Sequence, residues 1–161
     1  MSRQEGQKAK LLVLKNILER KTDEDHPLSV PQLIRALEAE GIRAERKSIY
    51  NDIEALRASG VDVELSRGRG GGYYLGSRTF ELPELKLLVD AVQASQFITR
   101  DKSKKLIRKL EGLTSEAQAR KMQRQVFVSG RVKTMNESIY YNVDALHEAI
   151  ARDRQVRFQY L

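Results

Sequence analysis

RGRGGGYY, residues 67–74, is the one stretch of the chain in which glycines cluster beside arginines and aromatic residues. Such residues can serve three chemistries: a backbone cradle for phosphate, an RNA-binding arginine–glycine segment, or a hairpin tip that touches DNA. A catalytic phosphate cradle needs Gly-Lys-Ser/Thr, or G-x-G-x-x-G between a strand and a helix. Neither is present: no Gly-Lys-Ser/Thr follows, and the second spacing fails at Tyr73. An RNA-binding segment draws its strength from repetition, and RGRGGG occurs once. The hairpin tip is the reading that the flanks support. VDVELS, 61–66, alternates apolar Val61, Val63 and Leu65 with polar residues, and GYYL, 72–75, supplies a second strand-like run. Glycines between them permit positive φ and close approach to another backbone. Tyr73 and Tyr74 should point to opposite faces, one onto the domain and one outward. Arg67 and Arg69 then sit where they meet phosphate or enter a minor groove.

Other catalytic chemistry finds little to work with. His26 and His147 are the two histidines, far apart in the chain, and there is no cysteine. No HExxH, nucleophile-elbow or Cys/His ligand pattern accompanies them. Carboxylates are plentiful, but no pair is singled out by its neighbours. The expectation is a protein that is not an enzyme and carries no cofactor and no metal.

The elements that must position the hairpin are helical. KAKLLVLKNILER, 8–20, repeats Leu11, Leu14 and Leu18 with Ile17 on one face, and KTDEDHP then breaks the helix at a loop before Pro27. SVPQLIRALEAEG, 29–41, opens with Ser29 and Gln32 at capping-box spacing, tolerates Pro31 in the first turn and ends at Gly41. After the short turn IRA, ERKSIYNDIEALRASG buries Ile49, Ile53 and Leu56 and stops at Gly60. At about 100° per residue, Lys47, Asn51 and Glu54 face the opposite way, flanked by Arg46, Tyr50 and Arg57. Residues 81–98 read as a further helix through Leu85, Leu88, Val89 and Val92. Two shorter basic helices follow at 102–113 and 115–124, then a possible strand and turn at 126–132, a helix at VDALHEAIARDR and a strand at QVRFQYL.

Three helices followed by a hairpin, with an outward-polar third helix, is the order of a winged helix-turn-helix, whose third helix enters the DNA major groove. A three-helix packing unit with no ligand has the same periodicity, and some winged helices serve as protein-interaction modules without binding DNA. RKSIYNDIEALRASGVDVE followed by GRGGGYYL resembles the N-terminal domain of bacterial WYL-domain transcriptional regulators of the DeoR-like kind. TFELPELKLLVDAVQASQFI is similar to that family's linker helix, and VDALHEAIARDRQVRFQYL to the opening helix and strand of its WYL domain.

The resemblance implies a mainly α fold with a small β-hairpin. It implies a flexible tail at 1–7, a winged helix-turn-helix at 8–80, a helical linker or dimerisation region at 81–140 and the start of a truncated WYL domain at 141–161. It assigns the recognition helix to residues 46–59, with Arg46, Lys47, Ser48, Tyr50 and Asn51 in the turns that contact DNA. Asn51 stands where an arginine is common in the family; asparagine pairs with adenine where arginine prefers guanine. Tyr50 could instead pack on the core. Asp52 is expected to act as a scaffold paired with an arginine, and Arg57 to clamp a DNA backbone or to be solvated. Because a strand at the chain end leaves an open edge, the chain is expected to be part of a longer protein. A small-molecule or nucleotide effector is expected only where the WYL domain is complete.

Composition agrees with an anionic partner. The formal net charge is +7, and residues 99–133 hold eleven basic against three acidic residues. That run either adds phosphate contacts or forms a solvated face, with Ile107 and Leu110 packing in a dimer. The expected partners are double-stranded DNA and a second copy of the chain, since one recognition helix reads few bases. A basic surface also suits an anionic membrane. The polar start, MSRQEGQK, and the absence of a long apolar run point instead to a cytoplasmic protein without membrane attachment.

Overall fold

The computed structural model describes residues 3–67, 70–125 and 138–157. Among these the chain is mainly helical, with seven α-helices and one two-stranded antiparallel sheet. Helix α1 spans Arg3–Lys21, α2 Val30–Ala39 and α3 Arg46–Ala58; strands β1, Val63–Leu65, and β2, Tyr73–Leu75, follow. Then come α4, Leu82–Ala94, α5, Arg100–Glu111, α6, Glu116–Gln125, and α7, Ser138–Ala151.

The first three helices and β1 close around one core. Leu14, Ile17 and Leu18 of α1, Val30, Leu33 and Leu37 of α2, Ile49, Ile53 and Leu56 of α3, and Val63 of β1 are all buried together. Each such side chain contributes about 1.5–3 kcal/mol by leaving water. These are the apolar positions that the helical spacing selects, so the faces opposite them are turned outward.

Helices α2 and α3 end in the same way. Gly41 and Gly60 adopt φ of 77° and 90°, the left-handed region that a side chain resists. In each, the residue after the glycine donates its N–H back to the helix: Ile42 to Leu37 O at 2.9 Å and Val61 to Leu56 O at 3.0 Å. Both returning residues pack on the core, so each turn is held by hydrogen bond and apolar contact together. At the other end of α2, Gln32 Oε1 accepts from the Ser29 N–H at 2.8 Å and from its hydroxyl at 2.7 Å.

Several expectations are revised. Residues 3–7, expected as part of a flexible tail, are helical, because Arg3, Gln4 and Glu5 favour helix and Gly6 costs only about 1 kcal/mol. Helix α4 ends at Ala94 rather than 98, and Thr99 starts α5 by accepting the Lys102 N–H at 3.3 Å. Helix α7 begins at Ser138, five residues ahead of the VDALHEAIARDR run. Residues 155–157 form no strand, and the rest of QVRFQYL and the possible strand at 126–132 lie outside the described residues.

The loop after α1 begins with two buried polar residues, Thr22 and Asp23. Thr22 donates its hydroxyl to Leu18 O at 2.6 Å, accepts the Leu75 N–H at 3.1 Å, and offers its carbonyl to Arg78 at 2.7 Å. Asp23 receives Ser115, the residue that caps α6, and lies 2.6 Å from His26 Nδ1. Burial pushes the Asp23 carboxyl up, but the hydrogen bonds from Ser115 and His26 outweigh it and hold the group below its ordinary value. Ion pairs Arg20–Glu116 at 3.0 Å and Lys121–Asp25 at 3.1 Å dock α6 beside the same loop.

Candidate nucleic-acid interface

Beyond the shared apolar core, Arg57 ties helix α3 to the hairpin. Arg57 donates through Nε to Val63 O at 2.8 Å and through a terminal nitrogen to Glu54 at 2.7 Å, and its guanidinium lies 5.9 Å from the Tyr73 ring. A helix side chain thus binds the main chain of β1 and faces an aromatic ring of β2. The hairpin is thereby held at a set angle to α3.

The hairpin has register Val63 to Leu75, Glu64 to Tyr74 and Leu65 to Tyr73. Its second strand also pairs with the segment before α2, Leu28 and Tyr73 exchanging N–H···O bonds of 2.9 and 2.8 Å. The two tyrosines divide as alternation requires. Tyr73 packs against the core, whereas Tyr74 donates to Glu64 at 2.6 Å, and that bond raises its pKa to about 12.

Two glycines of the tip have separate reasons. Gly70 takes φ of 89° with open space around it. At Gly72 an added Cβ would stand 2.3 Å from the carbonyl carbon of Leu28 and 2.5 Å from Ser29 N, well inside van der Waals contact. Gly72 is therefore where the hairpin lies directly on the backbone that leads into α2.

On α3 the expected residues separate into free and engaged groups. Lys47 and Asn51 are exposed, and among the described residues their side chains have no hydrogen-bond or ion-pair partner. Arg46 and Tyr50 are exposed one turn apart, Nε donating to the phenol oxygen at 3.2 Å with the guanidinium 5.9 Å from the ring centre. Tyr50 lies outside the core cluster. Arg67 is exposed beside the tip, and Arg69 lies outside the described residues.

Ser48 and Asp52 face α1 instead. Lys10, 7% exposed, donates to the Ser48 hydroxyl and places its Nζ 2.8 Å from Asp52 Oδ2. Asp52 is a scaffold residue as expected, but its partner is a lysine of α1 and not an arginine. Lys10 carried no signal of its own in the sequence, where it is one cation among several at the start of α1.

Elsewhere, Asp23, Asp25 and His26 bring three ligand atoms within 4.8 Å of one another. Those carboxylates already serve Ser115, His26 and Lys121, so the group works as a clasp for the loop. Ile107 and Leu110 of α5 are partly buried, while the outer side of α5 exposes Lys104, Lys105, Arg108 and Lys109. No helix among the described residues is long and apolar enough to cross a membrane.

The surface therefore presents on a helix two polar side chains without a partner among the described residues, a hydrogen-bonded arginine–tyrosine pair beside them, and an arginine-bearing hairpin tied to that helix. No family model, curated protein or solved structure matches the chain.

Proposed function

We propose that the protein is a sequence-specific DNA-binding transcriptional regulator built on a winged helix-turn-helix. In this reading α3 is the recognition helix and the hairpin is the wing. The observation that carries it is the exposed pair Lys47 and Asn51, without a partner among the described residues, on a helix whose opposite face is buried at Ile49, Ile53 and Leu56. A polar pair with no internal partner is free to take base edges as partners, lysine at guanine and asparagine at adenine. Arg46, hydrogen-bonded to the Tyr50 phenol, and the wing arginines hold phosphates and fix the register. The mechanism is binding without covalent chemistry. Two copies acting on a dyad would double the number of bases read. The resemblance to WYL-domain regulators agrees with this reading, and any effector would belong to a complete WYL domain.

Arg57, with its three contacts inside the fold, positions the wing and is not among the DNA-contacting residues of this reading. The wing arginines have the opposite role. Arg67→Ala with Arg69→Ala is expected to weaken binding to every duplex alike. Removing two phosphate contacts should also lower the salt slope by about 2 per bound copy. Fluorescence anisotropy on a selected and a scrambled duplex checks this; a change in base preference at constant slope would assign the arginines to base reading. The function itself is tested by a mobility shift with promoter DNA across a salt series, where no shift at low salt would favour a protein-interaction module.

A further inference from the structure

Lys10 has an unusual position for a lysine. It is 7% exposed, it belongs to α1, and it reaches across to two residues of α3 that stand one turn apart, Ser48 and Asp52. We propose that Lys10 is a positioning residue for base recognition, its clamp on Ser48 and Asp52 fixing the rotation of α3 about its own axis. The inference rests on the reading of α3 as the helix that enters the groove.

Among the described residues, the directed ties from α3 to its neighbours are Arg57 to β1 at its last turn and Lys10 at its first turns; the rest of its packing leaves the rotation of those first turns less sharply set. The buried contacts of α3, Ile49, Ile53 and Leu56, are apolar, and apolar attraction is non-directional. A rotation of about 15° moves a side-chain tip, about 6 Å from the axis, by roughly 1.5 Å. Hydrogen-bond distances to a base edge vary over only about 0.5 Å. A directional tie is therefore what converts a packed helix into one that reads bases. Ser48 accepts the directed hydrogen bond and Asp52, one turn on, holds the same ammonium by charge, its Oδ2 making no hydrogen bond among the described residues, while Lys47 and Asn51, each one position earlier, face outward. The ammonium also cancels the Asp52 carboxylate, which would otherwise repel a nearby phosphate.

Stability is a poor explanation for the pair. An ion pair this far from water gains little over an apolar pair of similar size, because both charges lose hydration. The distinctive contribution of the clamp is direction, given by the bond to Ser48; buried polar ties of this kind set register and specificity in some other proteins.

The test uses a variant that leaves the net charge unchanged, Lys10→Met with Asp52→Asn, in the full chain. The wild type first enriches duplexes from a random-sequence library. The best enriched duplex and a scrambled duplex of equal length are then titrated with both proteins. The expected result is unchanged helicity, scrambled-duplex affinity within about twofold of wild type with the same salt slope, and enriched-duplex affinity lower by about tenfold or more. Discrimination within twofold of wild type would overturn the proposal. Equal losses on both duplexes with a shallower salt slope would overturn it too, making Lys10 a phosphate contact. If the Met–Asn variant does not fold, Lys10→Met with Asp52→Leu, equally neutral in net charge and with no donor at position 10, is measured against the same criteria. A wild type that binds DNA without enriching any sequence overturns this inference alone, whereas one that binds neither duplex overturns the DNA-binding reading with it.

Discussion

Lys47→Ala combined with Asn51→Ala is expected to abolish sequence preference while the protein stays folded and still binds DNA. Both side chains are exposed on α3 and have no partner within the described residues, so their loss breaks no internal contact. Alanine is also the best helix former, and stability should stay within about 0.5 kcal/mol. A good bidentate contact to a base contributes about 1–3 kcal/mol of discrimination, so two together separate cognate from random sequence by about a hundredfold or more. Titrating an enriched and a scrambled duplex with wild type and double variant gives the ratio directly. It should fall close to one, with binding to the scrambled duplex reduced only by the one cation lost. An undiminished ratio would remove α3 from base reading.

Gly72→Ala is expected to cost about 2–4 kcal/mol, a large effect for one methyl group. The added carbon would lie 2.3 Å from Leu28 C, 2.4 Å from its oxygen and 2.5 Å from Ser29 N, all of them backbone atoms. Backbone cannot turn aside as a side-chain tip can, so β2 would have to lift by more than 1 Å to reach ordinary contact. That displacement breaks the two Leu28–Tyr73 hydrogen bonds, about 0.5–1.5 kcal/mol each, and withdraws Tyr73 from the core. Gly70→Ala is the comparison: the space is open, and the cost is the left-handed φ alone, about 1–2 kcal/mol. Thermal melts should separate the two, Gly72→Ala falling by roughly 10 °C and Gly70→Ala by less than half of that. Equal shifts would show that the hairpin does not seat on the Leu28 backbone.

Local elements of this fold were legible from short-range pattern. The Ser29–Gln32 spacing marked the start of α2, Gly41 and Gly60 marked two helix ends, and the 49, 53, 56 spacing identified the buried face of α3. Alternation in VDVELS and GYYL gave the hairpin and the division of labour between Tyr73 and Tyr74. Each depends on residues within a turn or two of one another, where spacing alone carries the physics. The long-range ties were not legible. Lys10 meets Asp52 across 42 positions, Asp23 meets Ser115 across 92, and Thr22 meets Leu75 across 53. A buried lysine or aspartate looks like any solvated one until its partner is known. Arg57 shows the same limit: its place at the end of α3 suggested a DNA clamp or a solvated side chain, whereas it holds the carbonyl of Val63.

Salt dependence of DNA binding tests the central claim most directly. Arg46, Arg67 and Arg69 on each copy, neutralising about three phosphates, predict a slope of log K against log salt of about −3 for a single copy and about −5 for a dimer. Between 50 and 200 mM salt a dimer should lose about a thousandfold in affinity for its enriched duplex, and a single copy about fortyfold. Affinity that is absent at 50 mM salt, or unchanged between the two concentrations, would contradict DNA binding through α3 and the wing.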